Sequence, residues 1–208
     1  MTSGSLWHVS REMTWLQPGR DMMWLKPGLG VEDSVLMAGT KAAGKLLMSG
    51  DRRAIAETIS GTWLFRVEKL WNREYVVCRE PDGAQTARFF PRYHWTTGTF
   101  SLGDGTTFHW KLRSILRGEF EITDAENSVI VRISLWQADV SHNLSNSVHG
   151  DVELSPGTHS PQTISLIVTF AWYLILLQMD HPASIGEAQI DQEPLALPRA
   201  TGTDSANP

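Results

Sequence analysis

The chain of 208 residues has a single cysteine, Cys78. One thiol cannot form an intramolecular disulfide, and it excludes a zinc site built from several cysteine thiolates. Cys78 shares a face with Val76 in a run rich in β-forming residues, and the base and electropositive pocket that a nucleophilic cysteine needs cannot be inferred from the sequence. The pattern predicts a small core residue rather than a nucleophile.

Positive charge is also in short supply. The 18 Lys and Arg residues are outnumbered by 23 Asp and Glu residues, for a formal net charge of −5. Nucleic-acid binding needs a strong basic field to compensate phosphate charge, so the composition argues against nucleic acid as a partner. Residues 1–24 contain no apolar run preceded by basic residues, and we therefore expect a cytoplasmic protein.

No motif commits the chain to a reaction. It lacks Gly-x-Ser-x-Gly and Gly-x-Gly-x-x-Gly, and the Gly-Lys step at 44–45 is followed by Leu46, which fails the phosphate-loop pattern. His142, His149 and His159 share a polar stretch, but their spacing fits no compact metal-ligand motif. We expect loop histidines, no metal and no cofactor. An enzyme whose site is assembled from distant residues stays a hypothesis without positive support.

What the chain does contain is large aromatic rings and alternating apolar residues. Nine Trp and seven Phe against three Tyr predict a core filled by bulky rings. From Ile55 onward, apolar and polar residues alternate with the period of a half-buried strand. Trp63, Phe65 and Val67, for example, share one face of the segment 62–69.

Turn signals separate these segments and predict hairpins. They lie at 81–83, 103–105 and 124–127. Short strands at this spacing are typical of an antiparallel barrel or sandwich. The predicted strands are 62–69, 74–79, 95–102, 106–112, 119–122, 129–135 and 148–154.

The most apolar stretch, Ile164 to Met179, has no charged residue. As a helix it would measure about 24 Å, against roughly 30 Å for the hydrocarbon core of a bilayer. It also lacks cationic anchors, since no Lys or Arg occurs between Arg132 and Arg199. Three interpretations follow: a helix enclosed by the sheet, which we favour, a membrane anchor, or a buried pair of strands.

A family resemblance adds to this pattern. The segments 61–65, 102–105, 120–124 and 172–174, in this order, resemble the superfamily of tubby C-terminal domains, phospholipid scramblases and LURP-one-related proteins. The resemblance covers about Leu6 to Asp180. It implies a mainly β fold, a closed antiparallel barrel of about twelve strands around one hydrophobic C-terminal helix at about 163–179.

The same resemblance implies less about activity. Tubby domains bind phosphoinositide head groups through basic residues, but none of those matches a position here by a local motif. The proline-rich region, calcium-binding segment and palmitoylated cysteines of scramblases are not evident. We therefore expect one barrel domain at 1–181, followed by a disordered tail at 182–208 that is rich in proline and small polar residues.

The richest cationic stretch runs from 88 to 117, with aromatic residues interleaved. Such residues on a barrel surface are suited to anionic lipid head groups. The alternative interpretation is an ordinary solvated face, where long cationic stems cover the aromatics. The candidate lipid- or anion-binding residues are Arg88, Arg92, Lys111, Arg113 and Arg117.

These observations predict a non-enzymatic binding or scaffold module for lipid head groups or a protein partner. The alternative is a tail-anchored, membrane-associated protein. In that case the segment 164–179 crosses the bilayer and the β domain stays in the cytoplasm.

Overall fold

A computed structural model describes residues 13–26, 33–49, 51–70, 73–92, 95–137, 148–157 and 159–179. The predicted tail at 182–208 lies outside these residues. The described chain forms twelve strands and one helix. They are β1 Met22–Lys26, β2 Asp33–Ala38, β3 Lys41–Ser49, β4 Arg53–Thr58, β5 Gly61–Leu70, β6 Arg73–Arg79, β7 Gln85–Arg92, β8 Thr97–Leu102, β9 Thr107–Ser114, β10 Glu119–Thr123, β11 Val129–Gln137, β12 Val148–Leu154 and α1 Pro161–Met179.

The strands form one closed antiparallel barrel. Each strand pairs with the next along the chain, and β1 pairs with β12 to close the sheet. Closure gives every strand two partners, which removes the exposed edges that make open sheets aggregate. The predicted fold, a closed barrel of about twelve strands around an apolar C-terminal helix, is confirmed.

Alternation within each strand separates the inside of the barrel from the outside. In β4, Ala54, Ala56 and Thr58 are buried, whereas Arg53 and the other intervening residues are exposed. Consecutive hairpins also reverse the chain at alternate ends of the barrel. The turns after β4 and after β9 therefore lie at opposite ends, which matters for the surface chemistry described below.

The helix α1 lies inside the barrel. It begins at Pro161, a favoured first helical residue, and the hydroxyl of Ser160 caps it by accepting a hydrogen bond from the Thr163 amide at 3.1 Å. Every residue from Ser165 to Gln178 is buried. Within the described residues, one helix is long and apolar enough to cross a membrane, and it is this one. The enclosed-helix prediction is confirmed.

The helix sits off centre because the barrel wall is uneven. Its backbone comes nearest to β3, β4 and β5. On β3 and β4, small residues such as Gly44, Ala54 and Ala56 face inward, whereas β5 contributes the ring of Phe65, which contacts Phe170 and Tyr173 of the helix. Large rings fill the wider gap on the other side, and Phe170 of the helix stacks on Phe100 at 4.3 Å. The other fully buried rings on that side include Phe89, Phe108 and Trp110.

One predicted boundary is wrong. The sequence places Trp95 in the strand 95–102, but β8 begins at Thr97 and Trp95 has a positive φ of 71°. Its carbonyl oxygen accepts hydrogen bonds from Trp110 Nε1 and from Gln178 Nε2, each at 3.0 Å. Because both donors come from distant segments, tertiary contacts rather than local preference fix this backbone.

Candidate anion-binding groove

Among the residues that the structure describes, no charged side chain faces the interior of the barrel. Within the described residues, Glu121 is the only charged residue that is buried, at 5% exposure. It does not face the core. It belongs to the outer face of β10, opposite Lys111 of β9 on one side and Arg132 of β11 on the other.

Two arginines hold the Glu121 carboxylate. Arg132 donates to Oε1 through Nε at 3.1 Å and through Nη2 at 3.0 Å, and Arg113 donates to Oε2 at 3.3 Å. The remaining Nη1 of Arg132 donates to Glu153 at 3.1 Å. The hydrogen bonds that the Arg132 guanidinium donates to Glu121, and then to Glu153, raise its pKa. The result is an ion-pair chain across β9, β10, β11 and β12.

Beside Glu121 the outer surface forms a groove of about 420 Å³. Three cations line it, Arg92, Lys111 and Arg113, against the single carboxylate. Other polar side chains also line it, among them the hydroxyl groups of Thr97, Thr99 and Thr123 and the ring of His109. The groove therefore combines an excess of positive charge with hydroxyl donors.

Strand register places Arg92 and Lys111 at the same height along the barrel. Thr97 of β8 lies opposite Arg92 of β7 and opposite Lys111 of β9. Neighbouring strands are about 4.8 Å apart, so the two cationic residues start about 10 Å apart on either side of one hydroxyl. Their long side chains can both reach a single anion above Thr97.

The three cations differ in whether they form ion pairs with other side chains. Arg113 is shared with Glu121. Neither Arg92 nor Lys111 makes a side-chain ion pair or hydrogen bond within the part of the chain that the structure describes. These two residues therefore carry the unneutralised positive charge of the groove.

The structure brings three of the five predicted site residues together in this groove. Arg88 lies elsewhere on β7 and donates to Gln85 at 3.0 Å. Arg117 lies in the turn between β9 and β10, 3.8 Å from Glu119. All five are exposed. Their role in binding an anion stays a prediction.

Sequence reasoning missed Glu121 and the threonine hydroxyls. From the sequence, the alternation of Glu121 with Phe120 and Ile122 predicts only that its side chain points outward. Its position between Lys111 and Arg132 depends on the register of three strands, which the sequence does not fix locally. One sequence feature could have indicated this cluster: Glu121 lies on a predicted strand, and the strands before and after it carry Lys111 and Arg132.

The described histidines lie in separate parts of the barrel. His149 lies in β12, where its ring stacks on Trp136 at 4.4 Å, so the loop position expected for it is wrong and the strand predicted at 148–154 is right. His159 contacts the edge of Phe108 at 5.1 Å, and His142 lies outside the described residues. Among the described residues, no group of His, Cys, Asp or Glu side chains is placed to hold a metal ion.

Cys78 is a core residue, as predicted. It is fully buried, and burial raises the pKa of its thiol to about 12 despite a 3.9 Å contact with the hydroxyl of Thr86. At neutral pH the sulfur is therefore protonated. A protonated, inaccessible thiol is a poor nucleophile.

A second groove, of about 660 Å³, lies near the seam where β1 pairs with β12. Its charged lining is Asp21, Asp151 and Glu153 against Arg20 alone. The excess of carboxylates disfavours an anionic ligand here. The two grooves are thus opposite in sign.

Comparisons with protein-family models, curated proteins and solved structures found no match for this chain.

Proposed function

We propose that the protein is a non-enzymatic binding module whose ligand is an anionic, phosphate-bearing group held in the groove between β7 and β10. One observation carries the proposal: Arg92 and Lys111 flank the hydroxyl of Thr97 and have no side-chain partner among the described residues. Long cationic side chains left unneutralised around a concave surface are suited to an anion.

The donor set favours phosphate. A guanidinium offers paired N–H donors that match phosphate oxygens, and an ammonium adds a compact charge. Hydroxyl groups from the three threonines supply further donors at no cost in charge. Glu121 holds Arg113 beside these groups but neutralises part of its charge, so Arg92 and Lys111 remain the main cations for a ligand.

The resemblance to the tubby, scramblase and LURP-one-related superfamily also supports a binding role, because tubby domains bind phosphoinositide head groups. The barrel and central helix that it implies are present. Membership of that superfamily and a cytoplasmic location stay predictions. An enzymatic role has no positive support, since the buried thiol and scattered histidines offer no nucleophile or metal.

Calorimetric titration with inositol hexakisphosphate, a soluble phosphate ester of high charge, tests the proposal. We expect binding that weakens with added salt and that falls at least tenfold in the Arg92→Ala, Lys111→Ala double variant, since each cation near an anionic surface contributes about 1 kcal/mol. Arg53→Ala is the matched control, because Arg53 is exposed on β4, away from the groove. The control is expected to bind like the parent.

Two further arms identify the source of the phosphate. Free inorganic phosphate at millimolar concentration and phosphatidylcholine vesicles containing phosphatidylserine are titrated in parallel. Equal loss of binding in the double variant and in Arg53→Ala contradicts a groove site. Absence of binding to all three probes contradicts the anion-binding function and leaves a protein partner as the remaining interpretation.

The tail-anchored alternative is a separate proposal with its own test. In the fold described above α1 is enclosed, so crossing a bilayer would require the helix to leave the barrel. Alkaline carbonate extraction of membranes from expressing cells separates the two. A membrane anchor stays in the pellet, whereas an enclosed helix leaves the whole protein in the supernatant.

A further inference from the structure

We infer that the turn between β9 and β10 is an apolar tip that inserts into an anionic lipid surface. This inference rests on the proposed function, because it names a lipid bilayer as the source of the phosphate. The observation behind it is Leu116, which is 99% exposed at the end of the hairpin, beside Ile115 at 49%. No core contact accounts for two large apolar residues at the most exposed point of a turn.

The turn holds this tip in a fixed shape. The Ser114 hydroxyl accepts a hydrogen bond from the Arg117 amide at 3.2 Å, and the Ile115 carbonyl accepts one from the Gly118 amide at 3.3 Å. Gly118 has a positive φ of 58°, and a Cβ there would lie 2.9 Å from Leu135 Cβ. Three local features therefore present Leu116 outward.

Two arginines flank the tip, and each also contacts a glutamate, Arg113 with Glu121 and Arg117 with Glu119. Arg113 precedes it and Arg117 lies within it, with side chains 54% and 78% exposed. On the adjacent strand, Trp136 is 43% exposed, and the Leu135 amide bonds the Gly118 carbonyl at 3.0 Å, which fixes that strand beside the turn. An apolar wedge with a cationic collar and a nearby tryptophan matches the chemistry of the membrane interface.

The tip and the groove can contact one bilayer together. Lys111 precedes Leu116 by five residues, or about 16 Å along a strand, and a barrel tilt of about 40° reduces the axial distance to about 12 Å. Interfacial elements insert about 5–10 Å, and the head-group layer adds about 5–7 Å. With Leu116 inserted, the cationic end of the groove lies at the level of the head groups.

A lipid surface fits this tip better than a protein partner. Two apolar residues fall far short of the roughly 800 Å² per partner of a stable protein interface. A second copy of the chain also carries a net charge of −5, so two copies repel one another. Ile59, another exposed apolar residue, lies in the β4–β5 turn at the opposite end of the barrel and serves as the comparison.

Sedimentation with phosphatidylcholine vesicles containing 30% phosphatidylserine measures how much of the protein partitions onto an anionic membrane. Leu116→Ser is expected to lower the partition coefficient at least fivefold, since it removes most of the apolar area that would enter the membrane. Ile59→Ser is the matched control and is expected to partition like the parent. Both variants are expected to bind soluble inositol hexakisphosphate like the parent, because neither residue lines the groove.

A fluorescent probe gives an independent readout. Leu116→Cys can be labelled with an environment-sensitive dye at neutral pH, since the thiol of Cys78 is buried and protonated. We expect the emission to shift to the blue on anionic vesicles, with no shift on vesicles of phosphatidylcholine alone. The same dye on Ile59→Cys is expected to show no shift on either.

The outcomes separate the two proposals. If the parent binds neither soluble inositol hexakisphosphate nor vesicles, the proposed anion binding in the groove is wrong. If the parent binds the soluble ligand but Leu116→Ser partitions like the parent, or the dye at 116 stays in water, the insertion of the tip is overturned. A change in sedimentation coefficient on Leu116→Ser, without vesicles, would instead assign the tip to self-association and also overturn it.

Discussion

The interior of the barrel is held together by apolar packing, whereas the outer face of β7 to β11 is organised by charged side chains. The described interior around α1 is mainly apolar, and two of its polar side chains, Thr169 and Gln178, donate to backbone carbonyls. The outer face instead concentrates opposite charges around Glu121 and leaves Arg92 and Lys111 unpaired within the described residues.

This difference shows where stability and binding reside. An interior without charge is stabilised by packing, so a change there acts on folding. On the outer face, exposed charges contribute little to stability and remain available to a ligand. Substitutions in the two regions should therefore separate stability from binding.

The largest expected effect is at the centre of the helix. Leu174 is fully buried, and Leu174→Asp would place an unpaired charge there at a cost of several kcal/mol, comparable to the whole stability of a domain. We expect unfolded or insoluble protein. Leu174→Met is the control and should cost less than about 1.5 kcal/mol. A soluble Leu174→Asp variant with the circular dichroism of the parent contradicts the enclosed helix.

A smaller effect is expected where the helix meets β12. A Cβ at Gly150 would lie 2.6 Å from the ring of Trp172, which is held by its stack on Trp24 at 5.4 Å. Gly150→Ala should therefore lower the free energy of unfolding by about 1–3 kcal/mol in urea titrations. At Gly103 the nearest atom is 3.5 Å away, and Gly103→Ala should be near neutral. Equal losses in both variants would contradict a packed interior.

On the outer face, stability and binding should move in opposite directions. Glu121→Gln removes the charge that holds Arg113 and Arg132, and we expect a loss of about 1–2 kcal/mol in unfolding free energy. The same change makes the groove more positive, so the affinity for inositol hexakisphosphate should rise severalfold. Glu153→Gln is the control, since that side chain is 72% exposed and should cost under about 0.5 kcal/mol. Weaker anion binding in Glu121→Gln would count against the groove.

The smallest effect concerns pH. Hydrogen bonds from Arg66 and then Tyr75 outweigh partial burial and lower the pKa of Glu68. A carboxyl with a lowered folded pKa stabilises the fold above its ordinary pKa, and this contribution is lost as pH falls through the folded pKa. Glu68→Gln should thus cost about 0.5–1 kcal/mol at pH 7.

Urea midpoints of the parent and Glu68→Gln, measured at pH 7 and again well below pH 4.5, check this sign. The difference between the two proteins should narrow at the acidic pH. A difference that widens on acidification contradicts the assignment of a stabilising, ionised Glu68.

Much of the barrel could be predicted from sequence because a half-buried strand has a local period. The segment 148–154 matches β12 at both ends, and the alternation of Trp63 and Phe65 places both inside. The helix was predicted from its lack of charge. Its true start at Pro161 is only a few residues earlier.

The first strands were harder to predict. Lys41–Ser49 forms β3, although its residues Ala42, Ala43 and Gly44 have low β propensity. Small residues on this part of the wall allow the backbone of α1 to approach it closely. The candidate site shows the same limit. Arg92 and Lys111 are 19 positions apart, and only the register through Thr97 brings them together.

Anion binding between Arg92 and Lys111 can be observed residue by residue. Backbone amide chemical shifts of the full chain are followed by NMR during titration with inositol hexakisphosphate. Binding in the groove should produce saturable shifts at Thr97, Lys111 and Arg113, with none along β4 around Arg53. Shifts confined to the acidic groove near Asp151, or no shifts at low salt, would contradict it.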